Sequence, residues 1–251
     1  MNSYIGIIPA AGIASRLGPL GYPKELLPIA YVADEAGGAL RPMPVIEASF
    51  RQLRAAGVGR CAVITSDRKT ELVRYVGSGG AIGLDVAFLL QSRPDGLAAA
   101  VSLAAPWTEG GNACLLLPDT IVRPAGALKQ VRTFFETAQA DLVLGVFPTG
   151  RPQELGPVRF DADMRVTEVL DKPEKTDLEN SWAMAVWGPR FTALLRDTVS
   201  KGDVRSLGDI FNDAVGRGLK VMAVWFPQGE FHDVGTPRGL TAALPLFADG
   251  L

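Results

Sequence analysis

Histidine and cysteine are the scarcest chemistry-bearing residues of this 251-residue chain, which has one histidine and two cysteines. That leaves almost no room for a zinc centre of His and Cys ligands, or for a mechanism that needs two histidines. Two cysteines cannot build a disulfide framework. Cys61 and Cys114 each sit inside an apolar run, so each is expected to be a small buried hydrophobe. An excess of charge of one sign is also missing: 25 Lys plus Arg face 27 Asp plus Glu, for a formal net charge of −2. Nucleic-acid binders usually carry a basic excess or stripe, so no nucleic-acid partner is expected, although a local phosphate site needs few charges. Long hydrophobic runs are absent too. None approaches the roughly 20 apolar residues of a membrane span, and no membrane partner is expected. The N-terminal segment has no basic region, and its apolar stretch is too short for a signal peptide. These absences together predict a soluble, reduced, cytoplasmic protein.

What is present is globular composition. Hydrophobic residues make up 47% and charged residues 21%, which excludes wholesale disorder. At roughly 150 residues per domain the length fits one large domain, or one with an annex.

Apolar runs rich in Ile, Val and Leu alternate with helix-like segments over residues 1–150. Strands are expected at Tyr4 to Pro9, Cys61 to Thr65, Leu84 to Leu90, Ala113 to Leu117 and Asp141 to Phe147. Helices are expected from Pro44 to Gly57, from a Ser66 or Asp67 cap to Tyr75, from an Asp95 cap to about Ala104, and from Ala125 to about Ala138. Continuous apolar runs joined by helices predict an α/β fold, a mostly parallel sheet with helices on both faces. Beyond residue 150 the texture changes. A hairpin is expected where Pro157 to Phe160 and Val166 to Leu170 flank Asp161 to Met164. Further strands are expected at Ser181 to Trp187 and Val221 to Phe226, and helices at Pro189 to Arg196, Ser206 to Gly216 and Pro237 to about Leu246. No Gly/Ser linker separates the halves, so residues 151–251 are read as an annex on the same sheet. The run from Ala30 to Leu40, rich in Ala and Gly, is read as a surface excursion.

In parallel sheets ligands sit at the carboxyl ends of the strands. The loop after the first run reads Pro9-Ala10-Ala11-Gly12-Ile13-Ala14-Ser15-Arg16-Leu17, and Tyr22-Pro23-Lys24-Glu25-Leu26-Leu27-Pro28 follows. Small residues let the backbone approach a ligand, with N–H groups converging on phosphate oxygens. Arg16 and Lys24 add a forked cation and a movable one. Neither the Walker A pattern nor the G-x-G-x-x-G fingerprint is present, and a turn with two solvated cations has the same local pattern.

This loop resembles the signature of the sugar-1-phosphate nucleotidylyltransferases, the NDP-sugar pyrophosphorylases. Further segments are similar in the family's order. Gln91-Ser92-Arg93-Pro94-Asp95-Gly96 looks like the base-reading segment of glucose-1-phosphate thymidylyltransferases. Leu117-Pro118-Asp119 resembles the strand-end metal aspartate, Asp171-Lys172-Pro173 the family's E-K-P, and Asp233-Val234-Gly235-Thr236-Pro237 its late D-x-G-T-P. The resemblance implies a Rossmann-like fold in one domain, with residues 1–150 holding the nucleotide and 151–251 the sugar.

It also implies roles. Arg16, Lys24 and Lys172 become the catalytic cations, for pyrophosphate, α-phosphate and sugar phosphate respectively. Ala11, Gly12, Gln91, Pro94, Gly96 and Asp119 fall on the nucleotide, and Gly156, Asp171, Lys172 and Trp182 on the sugar. Asp119 and Asp233 would hold Mg²⁺, a hard cation suited to carboxylate and phosphate oxygens. The implied substrates are an NTP, dTTP or UTP, and a sugar 1-phosphate, glucose 1-phosphate first. A cytidylyltransferase and a non-catalytic sugar-nucleotide binder remain open, as does homo-oligomer formation. The bland readings stand beside these: Asp119 as a strand-end cap, Asp233 as an Asx-turn residue, Lys172 as a solvated turn cation, Gln91 as an exposed strand end and Trp182 as core. His232 is expected to have a local structural role. Three departures stand out: Ala14 at a usual glycine, Asp171 at a usual glutamate, and Ala99 where thymidylyltransferases often carry a polar residue. The chain also stops soon after its last predicted helix, short of the helical extension of many thymidylyltransferases.

Overall fold

The computed structural model of the chain describes residues 3–13, 15–33, 39–108, 110–202 and 205–248. Ala14 lies outside them. A seven-stranded sheet forms the centre. Its strands are β1 (Tyr4–Pro9), β4 (Arg60–Thr65), β5 (Asp85–Leu90), β6 (Asn112–Leu116), β8 (Leu142–Pro148), β11 (Asn180–Trp187) and β12 (Val221–Trp225). The spatial order is β12-β8-β11-β6-β1-β4-β5. All neighbours run parallel except β11, which is antiparallel to both β6 and β8. The start of β11 therefore lies at the same end of the sheet as the carboxyl ends of its neighbours. This is the mostly parallel α/β sheet expected from the apolar runs.

Strand alternation sends side chains into two layers. Ala113 and Leu115 of β6 face one core with helices α3 (Leu97–Ser102), α5 (Pro189–Ser200) and α6 (Leu207–Gly216). Cys114 and Leu116 face the other, with α1 (Ile46–Ala55) and α4 (Ala127–Ala138). Helix α1 buries Ile46, Phe50 and Leu53 on one face. It packs close because Gly6 of β1 has no side chain: a Cβ there would stand 2.5 Å from Leu53 Cδ1. Both cysteines are buried, as expected.

A third, smaller core covers one end of the sheet. The hairpin β2 (Pro28–Ala33) and β3 (Leu40–Pro44), the ribbon β7 (Thr120–Arg123) with β13 (Glu230–Asp233), and helix α7 (Pro237–Ala248) supply it. Leu27, Ile29, Met43, Val45, Ile121, Val234 and Ala243 fill it. The sequence reading had neither this hairpin nor the ribbon. The expected excursion at Ala30 to Leu40 is in part these two paired strands, and residues 34–38 lie outside the described ones. The hairpin of β9 (Val158–Phe160) and β10 (Val166–Val169) forms as expected.

Two helix starts differ from expectation. Helix α2 (Thr70–Val76) begins after Lys69, with no side-chain cap from Ser66 or Asp67. Helix α3 begins after Gly96, whose φ of 91° turns the chain, and Asp95 does not cap it. Among the described residues no helix is long and apolar enough to cross a membrane.

Candidate active site

The β7–β13 ribbon brings together two aspartates distant in the chain. Strand β6 stops at Leu116, Pro118 follows, and Asp119 directly precedes β7. In the antiparallel register Thr120 stands opposite Asp233, and the Asp119 carbonyl accepts the Val234 N–H at 2.9 Å. Gly235 donates its N–H to Asp233 Oδ1 at 2.8 Å, an Asx-type turn. A Cβ on Gly235 would lie 2.5 Å from Asp119 Oδ2, 2.8 Å from Asp233 Oδ1 and 3.3 Å from Lys24 Nζ. Both carboxylates and the lysine thus converge on the space a side chain would fill.

Two cations complete this group. Lys24, on the short turn Lys24–Leu26, is ion-paired with Asp119 Oδ2. Arg16 Nη1 lies 3.5 Å from Asp233 Oδ2, with its side chain 59% exposed. Burial pushes the Asp233 carboxyl above its usual range, and the neighbouring Asp119 adds to this; the Gly235 N–H, Arg16 and Lys24 act the other way. Among the described residues no third histidine, cysteine or carboxylate joins the two aspartates as a metal set. His232 pairs locally with Glu230, Nε2 to Oε2 at 3.3 Å.

The loop after β1 is anchored from below. Ala10 donates its N–H to Ile64 O at 2.7 Å, and Lys69 Nζ donates to Ala10 O at 2.6 Å. The same ammonium donates to both Glu25 oxygens, at 2.8 and 2.9 Å. Glu25 is 0% and Lys69 7% exposed. Above this floor lie two adjoining cavities. One of about 310 Å³ is lined by Ala11, Ile13, Lys24, Ser66 and Arg68, among others. The other, of about 150 Å³, shares Ala11, Ile13, Ser66 and Arg68 and adds Gln91 and Pro94. Gln91 donates from Nε2 to Gly96 O at 3.1 Å, folding back on its own loop. A Cβ on Gly12 would meet no atom within 4 Å, so packing does not demand glycine there.

A second group lies beside the start of β11. The Gly156 N–H donates to Ser181 Oγ at 3.2 Å, and Trp182 N–H donates to Gly156 O at 3.1 Å. The Gly156 amide, which the resemblance turns toward a sugar, is thus engaged within the protein. A Cβ on Gly156 would overlap the Trp182 indole nitrogen, so the glycine is what lets the indole lie against this turn. Trp182 packs edge-on against Phe211 at 5.2 Å, partly in the core. Lys172 is exposed and has φ of 46°, a region that side-chain-bearing residues rarely adopt. Its N–H donates to Leu155 O at 2.8 Å. Asp171 is exposed and lies near the N-terminus of α6 at Gly208.

The structure therefore brings Arg16, Lys24, Asp119 and Asp233 into one contact group. Ala11, Gln91 and Pro94 meet at one cavity, with Gly96 bonded to Gln91. Gly156, Trp182 and Lys172 share a third locus, and Asp171 is next in the chain to Lys172. None of the hydrogen bonds or ion pairs described for the aspartate group reaches this third locus. The sequence reading missed Glu25, Lys69, Gly235 and Arg68 as contributors. Glu25 and Lys69 look like any other charged residues in sequence, and only burial distinguishes them.

Comparisons with known proteins agree with the resemblance. The family model described as Nucleotidyl transferase matches residues 5–249. The glucose-1-phosphate thymidylyltransferase of Xanthomonas campestris pv. campestris (strain B100) is 30% identical over 178 residues, which is 70% of this chain and 56% of that protein. The chain thus spans little more than half the length of that curated relative. A Bacillus anthracis structure assigned as a glucose-1-phosphate thymidylyltransferase, in complex with sucrose, has a TM-score of 0.86 at 21% identity, covering 98% of this chain and 96% of that one. A UDP-glucose pyrophosphorylase complexed with UDP-glucose has a TM-score of 0.80 at 18% identity, with full coverage of both chains. These two likenesses establish the Rossmann-like nucleotidyltransferase fold. With the family model spanning nearly all of its length, the chain belongs to the nucleotidyl transferase family.

Proposed function

We propose that this chain transfers a nucleoside monophosphate from an NTP to a sugar 1-phosphate, releasing pyrophosphate and an NDP-sugar. The observation that carries this reading is the convergence of Asp119, Asp233, Lys24 and Arg16 at the carboxyl end of the sheet. In this reaction a sugar phosphate oxygen attacks the α-phosphorus in line with the leaving pyrophosphate. A phosphate monoester is anionic near neutral pH and needs no general base. A site without a paired histidine suits that requirement. The task is to bring two polyanions together and hold them in line.

The donor set fits Mg²⁺: two carboxylates directed at one space, with no third His, Cys or carboxylate joining them among the described residues. Asp119 and Asp233 would hold the ion, which when bound neutralises charge at the phosphates. Lys24, already on Asp119, supplies a mobile cation to the α-phosphate. Arg16, mostly exposed, reaches the pyrophosphate end. Ala11 and Gly12 offer N–H groups to the phosphates, and Gln91 and Pro94 wall the smaller cavity as the place of the base. Lys172 holds the sugar phosphate, with Asp171, Gly156 and Trp182 around the sugar. The likeness to a glucose-1-phosphate thymidylyltransferase and to a UDP-glucose pyrophosphorylase favours dTTP or UTP with glucose 1-phosphate, and the free, buried thiols suit the cytoplasm.

The test is pyrophosphate release with Mg²⁺ over a grid of dTTP, UTP, CTP, ATP and GTP against several sugar 1-phosphates. Release that requires one NTP and one sugar phosphate together supports the reading and names both substrates. Nucleotide binding without release over the whole grid overturns it in favour of a non-catalytic binder.

A further inference from the structure

The proposed mechanism leaves Glu25 and Lys69 without a task, although they are the most deeply buried ion pair near the site. Taking two charges out of water is costly, and apolar replacements of similar size are often as stable or more so. Burial pushes the Glu25 carboxyl up and the Lys69 ammonium down, so each opposes its own charged form and relies on the other. A fold in need of stability alone has cheaper solutions at such a position.

The geometry shows what the pair connects. Three segments meet at Lys69 Nζ: the loop after β1 through Ala10 O, the Lys24–Leu26 turn through Glu25, and the start of α2 through Lys69 itself. The ammonium has three N–H donors, and three acceptors lie at 2.6, 2.8 and 2.9 Å. None is left for a ligand. Ala10 is held on both sides, its carbonyl in the 10–11 peptide by Lys69 and its N–H in the 9–10 peptide by Ile64 O. The next residues, Ala11 and Gly12, therefore leave from a fixed peptide. Glu25 is turned inward while its neighbour Lys24 reaches Asp119.

We infer that Glu25 and Lys69 are positioning residues. Their pair fixes the Ala10 to Gly12 peptides and the Lys24 side chain relative to one another, so that backbone N–H groups and the lysine meet the same phosphates. The inference rests on the transfer reaction proposed above. Its structural half, the fixing of the loop, can be read without any turnover.

The experiment compares wild type with Glu25→Gln, Lys69→Met and the double variant. Each single variant leaves one charge buried alone and loses thermal stability. The double variant is neutral and of similar volume, leaves no lone buried charge, and is more stable than either single variant, short of wild type by the lost bond to Ala10 O. Its kcat for pyrophosphate release nevertheless stays down by up to about 100-fold, because misplacement of the reacting groups is not repaired by stability. KM for the sugar phosphate, which binds elsewhere, stays near wild type. Exchange of the Ala10 amide, which is hydrogen-bonded to Ile64 O, speeds up by about tenfold as the loop opens locally. A double variant with wild-type kcat and exchange overturns the inference and leaves the pair merely structural. Should the double variant fail to fold, Glu25→Asp decides. It keeps both charges but shortens the reach by one methylene, and the same loss of kcat at unchanged KM is expected; unchanged kcat and exchange overturn the inference. If wild type turns over none of the grid, the transfer reading fails, and the exchange measurement alone decides whether the pair fixes the loop.

Discussion

Gly235 matters at the residue scale because of the atom it lacks. A methyl group there would stand 2.5 Å from Asp119 Oδ2 and 2.8 Å from Asp233 Oδ1, closer than a Cβ can approach. Gly235→Ala is expected to fold, since the residue is not in the left-handed region. It should push the carboxylates apart and lower turnover by about 10²–10³, the loss typical of one preorganised electrostatic contact. Pyrophosphate release beside a melting curve checks this, and wild-type turnover would mean the two carboxylates act separately. Asp233 adds a pH prediction. Its carboxyl is held above the usual range by burial and by Asp119. The folded state then keeps a proton that the unfolded chain has already lost, so stability of the metal-free protein falls as pH rises above about 4, through this window. Asp233→Asn cannot ionise and escapes that fall. The variant's midpoint should therefore gain on wild type as pH rises, and parallel curves would show that Asp233 is not held in its protonated form.

Two expectations belong to single elements. Helix α6 opens with a reciprocal capping box: Asp209 N–H donates to Ser206 Oγ and Ser206 N–H donates to Asp209 Oδ2, each at 3.1 Å. Ser206→Ala should cost about 1 kcal/mol, a fall of about 2–4 °C in Tm for a chain of this size. Strands β4 and β6 bury Cys61 and Cys114, and burial pushes the Cys114 thiol up to about 12. A thiol reagent should find no reactive cysteine in the native protein and two after denaturation; fast labelling of the native form would contradict the buried strands. The inner strands of the central sheet are legible because burial on both faces makes their sequences continuously apolar; the edge strand β5 is only half-buried, yet its run is apolar too. Strand β13, Glu230-Phe231-His232-Asp233, offers no such signal. It is short and polar, and its partner β7 lies far back in the chain. Ser66 and Asp67 look like caps in the sequence, yet helix α2 begins only at Thr70. The Ser66 carbonyl instead closes a turn with Lys69 N–H at 3.1 Å, and the helix starts after it.

The same contrast governs the whole molecule. Arg16, Lys24, Asp119 and Asp233 were named from motifs, but their meeting depends on a ribbon that the sequence did not reveal. Glu25 stands within the quoted loop at a position to which no role was given, and Lys69 lies in no motif; both are distinguished by burial, which is a property of the folded chain. The loop after β1, the end of β6 and the close of β13 each supply one part of the site, so the site exists only when these segments are docked. Ligands that bind across them should then stabilise the whole fold. A ligand present at 100 times its Kd adds about 2.7 kcal/mol, or about 5–10 °C in Tm at this chain length. Under the proposed function dTTP or UTP with Mg²⁺ should give that shift, and chelation of the metal should remove much of it. Asp119→Asn should lose the metal-dependent part while keeping the remainder, which comes from Arg16, Lys24 and the loop amides. Equal shifts from all five NTPs would mean that the phosphates alone are recognised and that the cavity beside Gln91 does not read the base. A shift indifferent to chelation in wild type would remove Asp119 and Asp233 from the metal and leave Lys24 and Arg16 as the partners that explain their positions.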